Sequence, residues 1–288
     1  MNSNFSIEKS SDGTIKFIFN NSFHAVLIPH GNKNTLCISS QVGCAMDCQF
    51  CLTAKLGFER NLTSVEIVLQ FETALNYLTN KDEITRKNKK GKFYAHDYIT
   101  SIVFMGMGEP FNNYNNMIKS INMLHEEYFY SYKKITVSTS GIIQKMKEFI
   151  KQENKIQLAV SFHSPFQEIR DKLMPNLKQY PIFDLVNACN LYCEKNKHHK
   201  IMIEYIMIEN LTDREEDLNE LINLGFEKMT NFNLIPLNGE LILDGKTYNS
   251  SSIEKCELFK EKLIQSGFKC LIRHNRGNDI EAACGMLN

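Results

Sequence analysis

Three cysteines fall within eight residues, Cys44, Cys48 and Cys51, with three residues between the first two and two between the last two. Thiolates spaced in this way can wrap one face of an iron–sulfur cluster. A 4Fe-4S cluster takes four ligands, so three local cysteines leave one iron open to a substrate or a cofactor. The spacing suits neither the common ferredoxin patterns nor the paired cysteines of zinc ribbons. Gly43, Asp47 and Gln49 make the segment a loop and not an apolar face. Buried core thiols, or a zinc knuckle completed by Cys37, are the alternatives. Two further cysteines matter less on their own terms: Cys37 reads as a core strand residue and Cys284 as a mobile thiol near the C-terminus. Cys189, Cys193, Cys256 and Cys270 match no pattern and read as core or surface thiols.

Such a loop has to be held by regular elements. Residues 14–29, TIKFIFNNSFHAVLIP, contain two β-rich runs separated by Asn20, Asn21 and Ser22, which predicts a hairpin. Short apolar runs follow at 36–40, 98–105, 134–140, 156–163, 200–208 and 232–237. Between them lie stretches of helical character at 63–79, 113–127, 142–152, 182–196, 213–224 and 252–266. Thr63 and Glu66 form a capping-box pattern, and Thr212 with Asp213 and Glu215 predicts another helix start with acids in its first turn. Six strand–helix units with continuously apolar strands imply an α/β fold, either an open doubly wound parallel sheet or a partial (β/α)6 barrel. The run at 268–274 could add an edge strand.

Composition narrows the classes. The chain has 288 residues, 43% of them hydrophobic, enough for one large core. Lysine plus arginine equals aspartate plus glutamate at 33 each, so the basic balance usual in nucleic-acid binders is missing and any such affinity needs a local patch. The one basic run is 85–93, TRKNKKGKF, either a solvated loop or a phosphate-contacting one. No apolar run approaches the roughly 20 residues that span a bilayer, and the N-terminus carries no export pattern. A cytoplasmic chain is expected, and its nine cysteines then read as reduced thiols with metal or redox work.

The cysteine triplet after the first core strand resembles the signature of the radical S-adenosylmethionine (SAM) superfamily. Longer strings are similar to its RlmN/Cfr methyltransferase family: LCISSQVGC (36–44), GFERNL (57–62), GMGEP (106–110), STSG (138–141), SFH (161–163), NLIPLN (233–238) and RGNDIEAACG (276–285). They occur in order and span nearly the whole chain.

The resemblance implies a TIM-like partial barrel over 36–288 with a hairpin extension over 1–35. It implies a 4Fe-4S cluster on Cys44, Cys48 and Cys51, and SAM held by Gly108, Glu109, Ser138, Ser161, Phe162, His163 and Asn238. Carbon 2 of an adenine ring is electrophilic, so direct transfer from SAM lacks a nucleophile, and the family answers with covalent catalysis. Cys284 would take a methyl group from one SAM. A second SAM, reduced by the cluster, would yield a 5′-deoxyadenosyl radical that takes hydrogen from that methyl, and the carbon radical would add to the ring. Cys37 would then attack the Cys284 sulfur, forming a disulfide and releasing the methylated product.

The implied substrate is RNA, 23S rRNA with tRNA as a second candidate, and the implied partner a reducing electron donor such as flavodoxin. A monomer is expected. The wording of 106–110 and 138–141 follows RlmN and not the carbon-8 enzyme Cfr. Three positions depart from the family: His24 stands where members have a glutamate base, residues 175–178 read PNLK where the usual order is PINK, and Met286 replaces glutamine. Histidine can serve as a base near neutral pH. The sequence opens at the hairpin, so the N-terminal helical domain of typical members is expected to be missing. A related scaffold acting on a small nucleotide or a protein is the alternative.

Overall fold

The structure is a computed structural model that describes residues 5–20, 22–81, 95–152, 155–196 and 200–288. The basic run at 85–93 lies outside the described residues. The chain opens with four strands, β1 (Phe5–Lys9), β2 (Ile15–Phe19), β3 (Phe23–His30) and β4 (Lys33–Cys37). The cluster-type loop follows, framed by β5 (Gln41–Gly43), α1 (Leu52–Lys55) and β6 (Phe58–Asn61). Strands and helices then alternate: α2 (Ser64–Lys81), β7 (Ser101–Phe104), α3 (Tyr114–Tyr128), β8 (Ile135–Thr139), α4 (Ile143–Lys151) and β9 (Gln157–Ser161). After β9 come α5 (Gln167–Leu173), α6 (Ile182–Lys195), β10 (Met202–Met207), α7 (Glu215–Asn223) and β11 (Asn231–Pro236). A small pair β12 (Leu241–Leu243) and β13 (Lys246–Tyr248), then α8 (Ile253–Gln265) and β14 (Lys269–Ile272), complete the chain.

Among the described residues ten strands form one sheet in the order β1-β2-β3-β4-β7-β8-β9-β10-β11-β14. The first four pair antiparallel, and every pairing from β4 onward is parallel. β4 belongs to both parts, antiparallel to β3 and parallel to β7, so the hairpin extension and the core share a sheet and position 35 lies inside a strand. Because side chains alternate along a strand, Ile102, Phe104, Ile135, Val137, Leu158, Val160, Ile203, Tyr205, Phe232 and Leu234 turn to the helices and are buried there. Each such side chain contributes about 1.5–3 kcal/mol by leaving water. The opposite face carries Cys37, Met105, Ser138, Ser161, Glu204 and Asn233. The sheet curls round that face, since Arg273, just beyond β14, donates from Nη2 to Met105 Sδ beyond β7 at 3.6 Å. That closure is the partial barrel expected from the sequence, with β14 as its edge strand.

Local signals act where they were read, with one shift. Thr63 Oγ1 accepts from Glu66 N at 3.2 Å while Glu66 Oε2 accepts from Thr63 N at 2.8 Å, a closed capping box before α2. The second predicted start moves: α7 begins at Glu215 after Arg214, whose N–H donates to Asp217 Oδ2 at 3.0 Å. Thr212 is spent elsewhere, its hydroxyl accepting from Ile208 N and donating to Ile206 O, at 2.9 and 2.7 Å, to tie off β10.

Candidate active site

A cavity of ≈ 160 Å³ opens at the C-terminal ends of the parallel strands, where α/β folds place their ligands. Cys44, Cys48, Cys51, Gly108, Glu109, Ser138, Ser161, His163, Asn238 and Cys284 all line it. Cys37, His24 and Phe162 do not.

The cysteine loop is braced from both sides. Cys44 N donates to Gly57 O at 2.9 Å, and Gly43, at φ +68°, passes so close that a Cβ there would lie 1.8 Å from Gly57 O. Gln49 N donates to Leu173 O at 2.9 Å, and Asn176 Nδ2 to Ala45 O at 2.7 Å, fixing the loop to α5 and the turn after it. Burial, then the charges of Cys51 and Cys44, pushes the Cys48 thiol well above its usual range, and burial does most to raise Cys44 to about 12. Three half-buried thiols whose charges oppose one another are suited to a cationic inorganic core.

The opposite rim is built from strand ends. Gly108 at φ +94° turns against Gln41, and a Cβ there would sit 2.5 Å from Gln41 Cβ, so only glycine lets the two segments meet. Gln41 Oε1 accepts from Glu109 N at 2.9 Å. The Glu109 carboxylate accepts from Phe111 N at 3.0 Å and Ser140 N at 2.7 Å, and burial raises its pKa despite those donors. His163, at φ +65°, takes Ile206 N onto Nδ1 at 3.1 Å, which leaves its proton on Nε2. Burial, then Arg170, lowers its pKa to about 3, so the ring is neutral. Ser140 Oγ, Glu204 Oε1 and Asn238 Oδ1 are buried polar atoms without partners, from residues that line the same cavity. Orphaned groups of this kind fit a bound polar cofactor such as SAM.

Cys284 reaches the cavity on the C-terminal tail. Asn238 Nδ2 donates to Cys284 O at 2.8 Å, Leu52 N to Gly285 O at 2.7 Å, and Thr53 Oγ1 to Leu287 O. The thiol is exposed and lies in the electrostatic neighbourhood of Cys51 and of Cys37. Cys37 is a buried strand residue whose thiol rises to about 12 through burial, then through the charge of Cys284. All nine cysteines are free thiols.

Phe162 departs from its expected place. It follows Ser161 by one residue, so it points to the other face, fully buried and edge-on to Phe226 with centroids 5.3 Å apart. His24 pairs with Ile18 in the hairpin, on the Cys37 face of the sheet but outside the cavity lining. Its Nδ1 has no partner, and burial, then Lys16, lowers its pKa to about 4. Two charged cavity residues were not singled out from the sequence, Glu204 and Arg273. Each is a charge within or beside an apolar strand run, which is the signal that would have found it. Glu204 Oε2 accepts from Asn233 Nδ2 at 2.7 Å, and burial raises its pKa against the pull of Arg273.

Comparison with known proteins agrees with this geometry. The model of the radical SAM superfamily matches residues 38–222. A dual-specificity RNA methyltransferase RlmN of Desulfotalea psychrophila is 40% identical over 287 residues, covering 98% of this chain and 76% of that protein. Its namesake in Francisella tularensis subsp. novicida is 37% identical, over 96% of this chain and 73% of that one. The crystal structure of a radical SAM methyltransferase from Sphaerobacter thermophilus superposes with a TM-score of 0.85 at 33% identity, over 99% of this chain and 82% of that one. With three thiols at the mouth of a strand-end cavity and likeness over nearly its whole length, the chain belongs to the RlmN family of the radical SAM superfamily, whose chemistry runs on a 4Fe-4S cluster and SAM.

Proposed function

We propose that this chain methylates carbon 2 of adenine in RNA, with 23S rRNA the first substrate and tRNA the second, through a methyl group carried on Cys284. One observation carries the reading: Cys284, exposed on the C-terminal tail, lines the same cavity as Cys44, Cys48 and Cys51. When bound, the cluster and SAM supply the one-electron chemistry that turns a sulfur-borne methyl into a carbon radical. The residues of the chain do the rest. Cys44, Cys48 and Cys51 hold the cluster, and Glu109, Ser138, Ser161, His163 and Asn238 offer SAM its polar contacts. Cys284 is the exposed nucleophile that accepts the methyl. Cys37, buried on its strand, is the resolving thiol: its sulfur bonds to that of Cys284 as the sulfur–carbon bond to the product breaks. The partner that reduces the cluster is a flavodoxin-type donor, and the working unit is a monomer.

The test is nucleoside mass spectrometry of rRNA and tRNA from cells with and without the gene, with a Cys284→Ala strain beside them. Methylation at carbon 2 is expected to depend on the gene and to be lost in the variant. RNA unchanged by deletion would sink the assignment, and a product at carbon 8 would move it to the Cfr-type reaction.

A further inference from the structure

Next to the cysteine loop, on α5, lies a charge with no ion-pair partner among the described residues. Arg170, on α5, has a side chain that is 0% exposed. Its Nη2 donates to Ser140 O at 2.8 Å and to Ser161 O at 3.3 Å, both at strand ends beside the cavity. Its Nε and Nη1 are buried and have no partner. No ion pair is formed by Arg170 among the described residues. Asp171, next to it on α5, has Oδ1 engaged by Gln167 Nε2 at 2.7 Å. Burial acts most strongly on the guanidinium and against its charge, while the Cys48 thiol, then Asp171 and Cys189, favour it. Arginine stays protonated in proteins, so this is a fixed cation in a dry place. A buried charge left unpaired and short of hydrogen bonds is costly, and such sites persist where an anion completes them.

We propose that Arg170 is the buried counter-charge of the iron–sulfur cluster, a positioning residue that acts through Cys48 to set the cluster's affinity and reduction potential. The inference rests on the reading that Cys44, Cys48 and Cys51 carry a 4Fe-4S cluster. A cluster on three thiolates is anionic, and more so when reduced. A cation behind it therefore favours the bound state over the empty one and the reduced state over the oxidised one. α5 is fastened to the loop through Gln49 N and Leu173 O, at 2.9 Å, so charge and thiolates are held in one rigid unit.

The test compares wild type, Arg170→Met and Arg170→Lys, each purified without the cluster and after anaerobic reconstitution. Melting temperature and a dithionite titration followed by electron paramagnetic resonance are the readouts. Without the cluster, Arg170→Met is expected to melt no lower than wild type, because an unpaired charge has been removed. With the cluster it is expected to gain less, and its reduced-to-oxidised ratio at a fixed potential is expected to fall about tenfold, equivalent to about 59 mV for a one-electron couple. Arg170→Lys is expected to keep most of the potential. If Arg170→Met is unstable or insoluble before loading, or gains as much as wild type on loading at an unchanged potential, Arg170 only brackets Ser140 and Ser161 and the proposal is overturned. Failure of the wild type to take up any cluster would overturn the cluster reading itself and would be seen before any variant is compared.

Discussion

The tail that delivers Cys284 is latched to the other end of the chain, and breaking that latch should loosen the tail by a calculable amount. Gly277 N donates to Asp12 Oδ2 at 2.9 Å, Ser10 Oγ to Asp279 Oδ1 at 2.5 Å, and Ser11 N to Asp279 Oδ2 at 2.9 Å. Lys16 Nζ adds a bond to Ile280 O at 3.1 Å. Burial works against the Asp12 charge, yet donors from Thr14, Gly277 and Ser10 outweigh it and bring the carboxyl down to about 2. The side chain is exposed, so solvent screening leaves only part of that effect as stability, and Asp12→Ala should cost about 1–2 kcal/mol. If the cost is confined to opening of the tail, amide exchange across 276–285 should quicken about 5- to 30-fold. Hydrogen–deuterium exchange by mass spectrometry reads this directly, with β8 as the unchanged control. Equal exchange across 276–285 in wild type and variant would refute the latch. A whole-chain loss of protection would show that Asp12 serves global stability instead.

Two further outcomes follow from the same structure. Gly108→Ala places a Cβ 2.5 Å from Gln41 Cβ at φ +94° and should cost about 2–5 kcal/mol, dislodging the Gln41–Glu109 bond. Calorimetry should find SAM binding lost while far-ultraviolet dichroism stays near native; wild-type affinity would contradict the account. His24 is held neutral, its pKa lowered from 6.5 to about 4 by burial and Lys16. The unfolded chain takes up a proton below 6.5 that the folded chain refuses until about 4, so stability falls as pH drops through that window, by about 3 kcal/mol at most. Urea melts at pH 7 and pH 4.5 should differ less in His24→Gln than in wild type, and an equal difference in both would remove His24 from the explanation.

The sheet was legible because its strands announce themselves. Runs such as IQLAVSFH end in polar residues, and the boundary from β9 to the loop falls where Ser161 and His163 begin to serve the cavity. β1 was not read, since all five of its residues are exposed and its place is fixed by pairing with β2. The short pairs β5 with β6 and β12 with β13 are likewise set by tertiary contact, not by local pattern. That Cys44, Cys48 and Cys51 share one cavity wall followed from their spacing. The Phe162 ring points away from the cavity because strand alternation, which a contiguous motif does not show, turns it to the helices. Arg170 lies on α5, a short helix the sequence did not signal, and its burial there sets it apart from a surface arginine.

The account stands most directly on the sulfur of residue 284. Wild-type protein made in cells with SAM, purified anaerobically and digested, should yield a 276–288 peptide one methylene heavier than its sequence, with fragment ions placing the methyl on Cys284. An unmodified Cys284, or a methyl carried on Cys37 instead, would contradict the claim that this tail is the methyl carrier.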